Sequence, residues 1–356
     1  MARTYRPFLA AKAGEATALS SFSAWSNFEP VLRIPPQDKD WVAGGYKKTL
    51  DHHLDAVIER ITNAVGAHSV YIDIEPLGTE GSTRGVHPLE WVLSECARLG
   101  MNVRPVLRAT SSSAALAAAR AHHAAAGTGV GVYVAIDDWE TGASAAGRGL
   151  ISSIGLADAV IDLFVDAGPA PSTASPVDLD AEVDALTAGR SFRSVTVGSA
   201  GFVDARAVPK GQMLHPRLDL TTWLSTYGLR AGLGKSTVDF FDYGIENPWY
   251  FGGEVNPAFL SFSAFFRYTA GRQWVLAKGD LYKGSGGSGR GGEAMVDALT
   301  DLTRHPLYKD MFATESDAWI DQVVARTTGP SNPQGWRRWG TLRHIAITER
   351  QVSSLA

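Results

Sequence analysis

The chain has 356 residues, of which 45% are hydrophobic, so it can bury a substantial core as one large domain or two ordinary ones. Its formal net charge of -4 leaves no overall electrostatic footprint for nucleic acid. No charged start leads into an apolar run and no apolar stretch reaches bilayer length, so a cytoplasmic protein without a membrane role is expected. The single cysteine, Cys96, has no internal disulfide partner and lies in a predicted helix, which reads as a buried structural thiol.

A short strand over 5–10 leads through Lys12, Gly14 and Glu15 into a helix that continues through Leu19. The second strand, 30–34, is stopped by Pro35 and Pro36, and leucine, isoleucine and valine at helical spacing make 50–65 a helix. Over 69–76 successive side chains alternate in direction, so Val70, Ile72 and Ile74 share one face while Tyr71, Asp73 and Glu75 share the other. A helix over 88–99 ends at Gly100, a strand covers 102–107, and an alanine-rich helix covers 111–126. The fifth strand, 129–136, delivers Asp137 and Asp138, and 150–165 reads as a helix ended by Ala167 and Gly168.

A sixth strand is predicted over 176–180, a short helix over 182–187 and a seventh strand over 192–197. The segment 202–234 is long and irregular, and 238–243 competes with 264–268 to be the eighth strand. A hairpin over 267–278 turns at Ala270 and Gly271, followed by the glycine-serine tract 284–292, a helix over 293–303, another over 319–324 and a last strand over 341–347. Strands and helices alternating about eight times predict an α/β fold, a TIM-like (β/α)8 barrel, with a doubly wound open sheet as the alternative. The open sheet lacks support at the first strand-to-helix turn, where Lys12-Ala-Gly-Glu15 is no glycine-rich fingerprint. The expected division is a barrel over 1–262 and an elaborated C-terminal region over 263–356 packed on the same domain.

Charges fall on one parity in several strands. Arg33 alternates with Leu32 and Ile34; Arg104 and Arg108 oppose Val103, Pro105 and Leu107; Asp178 and Asp180 oppose Val177 and Leu179. If the apolar parity packs on helices, the barrel mouth collects Arg33, Asp73, Glu75, Arg104, Arg108, Asp137, Asp178 and Asp180. One reading is a neutralised arginine-carboxylate network. The other is a functional pocket: Asp73, Glu75, Asp178 and Asp180 as catalytic acids and bases or as ligands of a divalent cation, with Arg33, Arg104 and Arg108 on a small anion.

No zinc motif, nucleophile elbow or P-loop is present, and the neighbouring histidines His52-His53 and His122-His123 lie in helices, where adjacent residues point apart. The glycine tract, with Lys278, Lys283 and Arg290 nearby, is either an anion cradle or a surface loop. Trp336-Arg-Arg-Trp339 is either a cation-π surface for a partner or a packed lid.

The order of these pieces is itself informative. Tyr5-Arg-Pro-Phe-Leu-Ala-Ala-Lys-Ala-Gly-Glu15 with Ala18-Leu19, Pro30-Val-Leu-Arg-Ile-Pro-Pro36, Phe266-Arg-Tyr-Thr269, Lys278-Gly-Asp280, the glycine tract, the segment 302–306 with its His-Pro, Gly335-Trp-Arg337 and Arg343-His-Ile345 follow one another. Together they resemble the beta protein family of phages, prophages and related mobile elements. The resemblance implies an accessory protein of anti-phage defence or phage-host conflict, acting through a ligand pocket or through a partner protein encoded nearby. It brings no catalytic mechanism. It marks Lys12, Glu15, Arg267, Tyr268, Gly279, Asp280 and His344 as candidates, to which Lys278 and Asp137 are added for ligand binding. The competing classes are a metal-dependent hydrolase of a phosphorylated or nucleotide-like substrate and a structural virion component; 202–234 matches nothing in the pattern.

Overall fold

Alternating and helical apolar periods, taken in turn along the chain, generate strands that can bury both faces and helices that bury one. The computed structural model describes residues 3–78, 82–135, 143–169, 175–248, 256, 259–284 and 287–355. The first half contains β1 (Phe8–Ala10), α1 (Ala13–Ser21), β2 (Val31–Arg33), α2 (Leu50–Val65), β3 (Val70–Asp73), α3 (Pro88–Arg98), β4 (Val103–Leu107), α4 (Ser113–Ala126), β5 (Val130–Ala135) and α5 (Ala143–Ile154). There follow β6 (Ile161–Pro169), α6 (Pro176–Thr187), β7 (Ser194–Ala200), β8 (Gly211–Pro216), α7 (Leu218–Gly232) and β9 (Asp239–Phe241). The remainder is β10 (Phe262–Ala270), β11 (Gln273–Lys283), α8 (Gly292–Thr303), α9 (Glu315–Val324) and α10 (Pro333–Ser353).

Eight strands pair in parallel in the order β1-β2-β3-β4-β5-β6-β7-β9. The two ends of this sheet meet, because the Arg6 N–H donates to the Phe240 carbonyl at 2.8 Å and the Phe8 N–H to the Asp242 carbonyl at 2.7 Å. The result is the (β/α)8, TIM-like barrel expected from the alternation. Outward side chains such as Leu32, Ile72, Leu107, Val132, Leu163 and Val197 join the large core beneath the helices. Inward ones, Phe8, Val31, Tyr71, Val106, Phe164 and Phe241, form a separate cluster that fills the middle of the barrel.

Three segments differ from their predicted form. Residues 161–165, expected as the end of a helix, belong instead to β6, since α5 stops at Ile154 and Gly155, with φ of +66°, turns the chain. Its run Ile-Asp-Leu-Phe-Val-Asp is apolar enough to continue a helical pattern, which is why period alone misassigns it. Residues 176–180 are helix rather than strand: Ser175 caps α6 by accepting from the Asp178 N–H at 3.2 Å, and Pro176 occupies its first turn. Residues 341–347 lie inside α10, which is buried on nearly every side from Gly340 to Val352 and so shows no amphipathic stripe.

The competition for the eighth strand resolves to β9, while β10 pairs with β11 and β8 in a separate antiparallel sheet. The segment 202–234 therefore contributes a strand to that sheet and a helix to the barrel. One face of the sheet, with Ala264, Phe266, Tyr268, Val275 and Ala277, packs with side chains of α8 and α9. The other face, with Phe265, Trp274 and Leu276, meets Val203, Val208 and Ile245.

α10 returns the chain to the start by packing along α1, which places it as the eighth helix of the barrel. The contact is close at Gly14, where an added Cβ would stand 2.9 Å from the Gln334 carbonyl oxygen and 3.1 Å from the Arg337 Cβ. Gly14→Ala is therefore expected to force α1 and α10 apart and lower stability by about 1–3 kcal/mol, read as a reduced urea midpoint at unchanged slope.

Candidate functional site

The inner parity of the strands delivers a polar constellation to the C-terminal mouth of the barrel, where barrel enzymes and binders place their sites. Asp73, at the end of β3, is 1% exposed. Its Oδ2 accepts from Arg108 Nη2 at 2.7 Å and lies 3.5 Å from Arg33 Nε, while its Oδ1 accepts from the Glu75 N–H at 3.0 Å. Burial pushes the Asp73 carboxyl up, but the Arg108 and Arg33 guanidiniums and these hydrogen bonds outweigh it and hold the group below the usual carboxylate range. Arg33 also donates to the Pro248 carbonyl and lies 3.3 Å from Glu75 Oε2. Arg108 stacks 3.7 Å over the Tyr133 ring.

Beside it, Tyr133 and Tyr243 both donate to Asp166 Oδ2, the second at 2.6 Å, and their hydroxyls are 2.8 Å apart. Burial raises the Asp166 carboxyl, and the hydrogen bonds it receives from the tyrosines and the Gly168 N–H offset this only in part. Below these groups Phe8, Val106, Phe164 and Phe241 seal the interior, with Phe8 and Phe164 rings edge-on at 5.4 Å.

The start of α1 opens onto the same mouth. Lys12, Glu15, Arg33, Tyr243 and Glu246 line a chamber of about 20 Å³. Arg337, reaching in from α10, lies 3.0 Å from Glu246 Oε1 and 3.5 Å from Glu15 Oε1. Glu15 is 2% exposed, and neither of its carboxylate oxygens accepts a hydrogen bond from another described residue. Burial, reinforced by Glu246 and opposed by Arg337 and Lys12, pushes its carboxyl up to about 7. Burial and the neighbouring Arg337 likewise lower the Lys12 ammonium.

A family model described as Beta protein matches residues 5–349, nearly the whole chain. The chain belongs to the Beta protein family. No curated protein matches it.

Across this Beta-family barrel the sequence-derived candidates separate. Asp73, Arg33 and Arg108 lie at the mouth on the inner parity of their strands, and Lys12, marked by the resemblance, lies beside them. Glu75 is exposed there in a 3-10 turn over 75–77, because β3 ends at Asp73 and the alternation expected over 69–76 stops with it. Arg104 shares the inner face of β4 with Arg108 but lies four residues earlier, about 13 Å down the strand. It pairs there with Glu29 at 2.9 Å and with the Tyr71 hydroxyl at 3.1 Å, in a floor that also contains Arg6, Asp162 and Asp239. Asp178 and Asp180 leave the mouth because their segment is helical. Asp178 is exposed at the α6 cap, and Asp180 is bound by Arg230 and Lys235, each at 2.6 Å. Asp137 lies outside the described residues.

Arg267 and Tyr268 are neighbours on β10 and so point to opposite faces. Arg267 donates to the Val203 carbonyl at 3.0 Å, and Tyr268 donates to Asp317 at 2.7 Å in a buried cluster with Arg343. Lys278 caps the Ala205 and Val208 carbonyls at 2.9 and 2.7 Å, Asp280 pairs with Lys210 and Arg290, and His344 is sealed against Asp242 at 2.9 Å. Trp336 is buried and donates to the Pro330 carbonyl, while Trp339, half-buried, stacks on Trp319 at 5.4 Å. In the glycine tract the Arg290 and Gly291 N–H groups bond back to β11 carbonyls, not toward an anion. His122, which points away from its neighbour His123 on α4, is buried against the Val103 carbonyl. Cys96 is fully buried, which pushes its thiol up to about 12 and makes it inert.

The acids do not suit a divalent cation, since Asp73 and Glu75 both face Arg33, and no group of three or more metal-ligating side chains occurs among the described residues. Sequence reasoning missed Asp166 because 150–165 read as helix, and missed Tyr243 and Glu246 because nothing but their place just after β9 marks them; Tyr133 was legible by parity, on the same face of the predicted fifth strand as Asp137. No helix among the described residues is long and apolar enough to cross a membrane.

Two outcomes follow. Asp73→Asn strands the largely buried Arg108 guanidinium, while Arg33 keeps Glu75 and the Pro248 carbonyl, and is expected to cost about 3–5 kcal/mol by chemical denaturation. Glu15 has a folded-state pKa above its unfolded value, so its ionisation opposes folding; the penalty is complete above pH 7 and is relieved as pH falls toward 4.5. Urea midpoints of the wild type and Glu15→Gln at pH 5 and pH 8 should therefore differ, with the wild type gaining relative stability at the lower pH on the order of 3 kcal/mol.

Proposed function

We propose that this Beta-family protein is an accessory protein of phage-host conflict, acting in anti-phage defence through a ligand pocket at the strand ends of its barrel. Family membership supports the phage context. The observation that carries the ligand reading is Glu15, a carboxylate buried in a charged chamber with no hydrogen-bond donor from another described residue. A scaffold gains nothing from such a group, whereas a binding site keeps acceptors for the molecule it receives.

A second reading, a hydrolase of a phosphorylated or nucleotide-like substrate, is favoured by the same carboxyl, because a group that titrates near neutrality serves as general acid or base. In that version Lys12 and Arg33 hold the anion and Glu15 moves the proton.

The test is efficiency of plating on cells expressing the protein with its native neighbours, challenged with a panel of phages. Wild type is expected to reduce plaques at least tenfold for a sensitive phage, and Glu15→Gln, accumulating to the same level, to restore them. Protection by Glu15→Gln equal to wild type would remove the ligand chamber from the function.

A further inference from the structure

Resting on the ligand-pocket reading, we propose that the mouth takes a phosphorylated polyol of the sugar-phosphate type, with a hydroxyl on Glu15 and the phosphate between Lys12, Lys48 and Arg60. The chamber at Glu15 has room for one small group: its 20 Å³ accommodates a water or a hydroxyl and not the body of a ligand. Adjoining it is a cleft of about 280 Å³ lined by Lys12, Gln37, Asp38, Lys48, His53 and Arg60, and Lys12 lines both spaces. Together they offer a narrow acceptor end and a broad cationic end joined at one lysine.

The cleft carries more positive charge than its own acids compensate. Asp38 is the single carboxylate on its wall, and neither Lys48 nor Arg60 forms an ion pair with any described acid. Arg60 is fixed in place by one bond, to the Ala11 carbonyl at 2.8 Å, which leaves other N–H groups of its fork for a second acceptor. His53 is likewise held by its Nε2 contact with the Pro35 carbonyl at 2.8 Å. Burial lowers its pKa, so it adds a neutral ring to the wall. The first turn of α1 reaches the same wall at Ala13, and its unpaired end of the helix dipole favours a negative group.

The two ends demand different chemistry. Glu15 accepts, and the groups around it, Lys12 on its own helix, Arg33 from β2 and Arg337 from α10, are cationic, with Glu246 and Tyr243 completing the wall. Arg33 and Arg337 already pair with Asp73, Glu75 and Glu246, and Lys12 adds a cation, so the chamber asks for no further positive charge; a neutral hydroxyl supplies the donor that the Glu15 carboxylate lacks. A phosphate in the cleft satisfies Lys48 and Arg60, and a short polyol links the two.

The experiment is isothermal titration of the purified full chain with ribose 5-phosphate, ribose and inorganic phosphate, using wild type, Glu15→Gln and Lys48→Ala. Far-UV circular dichroism and a thermal melt verify that each variant is folded. Ribose 5-phosphate is expected to bind at least tenfold tighter than inorganic phosphate. Glu15→Gln should erase that preference while leaving phosphate binding in place, and Lys48→Ala should weaken both and flatten the salt dependence. Equal affinity for ribose 5-phosphate and phosphate, no heat from either at millimolar concentration, or an unaltered preference in Glu15→Gln would each overturn the proposal. If plaque protection depends on Glu15 while ribose 5-phosphate does not bind, the ligand pocket stands and this choice of ligand falls.

Discussion

The buried carboxylate of Asp242 joins the parts of this protein that would otherwise have no reason to stay together. It sits just past β9, is 1% exposed, and accepts from the Tyr5 hydroxyl at 2.8 Å, from Arg217 at 3.0 Å, and from the Gly244 N–H at 2.9 Å, with His344 Nε2 at 2.9 Å. These partners come from the entry to β1, from the start of α7 and from α10. Arg217 extends the network to Asp219 and Thr348, and His344 extends it to Thr269 of β10 while its ring stacks on Trp274 of β11. Charges buried this deeply are stable only when mutually compensated, so the closing seam of the barrel and the seat of the second sheet depend on one another.

The mouth divides its acids between two states. Asp73 is saturated: two guanidiniums and a backbone amide hold it ionised, and it acts as a strut between β2, β3 and β4. Asp166 is similarly occupied by two tyrosine hydroxyls and an amide. Glu15 differs in having charge nearby and no donor from another described residue. The saturated acids make the mouth rigid, and rigidity is what lets a neighbouring acid stay poorly solvated without the structure collapsing around it. Asp73 and Asp166 thus brace the mouth, while Glu15 is left without a donor from another described residue.

How much of this could be read in advance follows from how far each signal reaches. Alternation along a strand is a local property, so the inward turn of Arg33, Asp73 and Arg108 is legible from β2, β3 and β4 alone. Depth along the barrel is not local; Arg104 shares parity with Arg108 yet belongs to the floor, because parity gives direction and not height. β6 and α10 are both buried nearly all round, and burial on every side erases the period that distinguishes strand from helix. The Ser175-Pro176 cap of α6 was a readable signal that the apolar alternation of Val177 and Leu179 obscured. Glu15 lay among the residues shared with the Beta family pattern, but its isolation depends on Arg337 and Glu246, more than two hundred residues away.

The placement of α10 has a consequence for the order in which the molecule can be assembled. Between the eighth barrel strand and its helix the chain inserts β10, β11, α8 and α9, so the helix that covers α1 is made more than three hundred residues after it. During synthesis α1 and β1 emerge early but lack their cover and their closing strand, and the contacts that complete them are among the most distant in the chain. Such long-range closure is slow, because loop-closure entropy is lost before the contacts form. The second sheet then serves as a template as well as an appendage: packed on Val203, Val208 and Ile245 in the segments that follow β7 and β9, it holds α10 within reach of the groove at Gly14 and shortens the search that ends the fold.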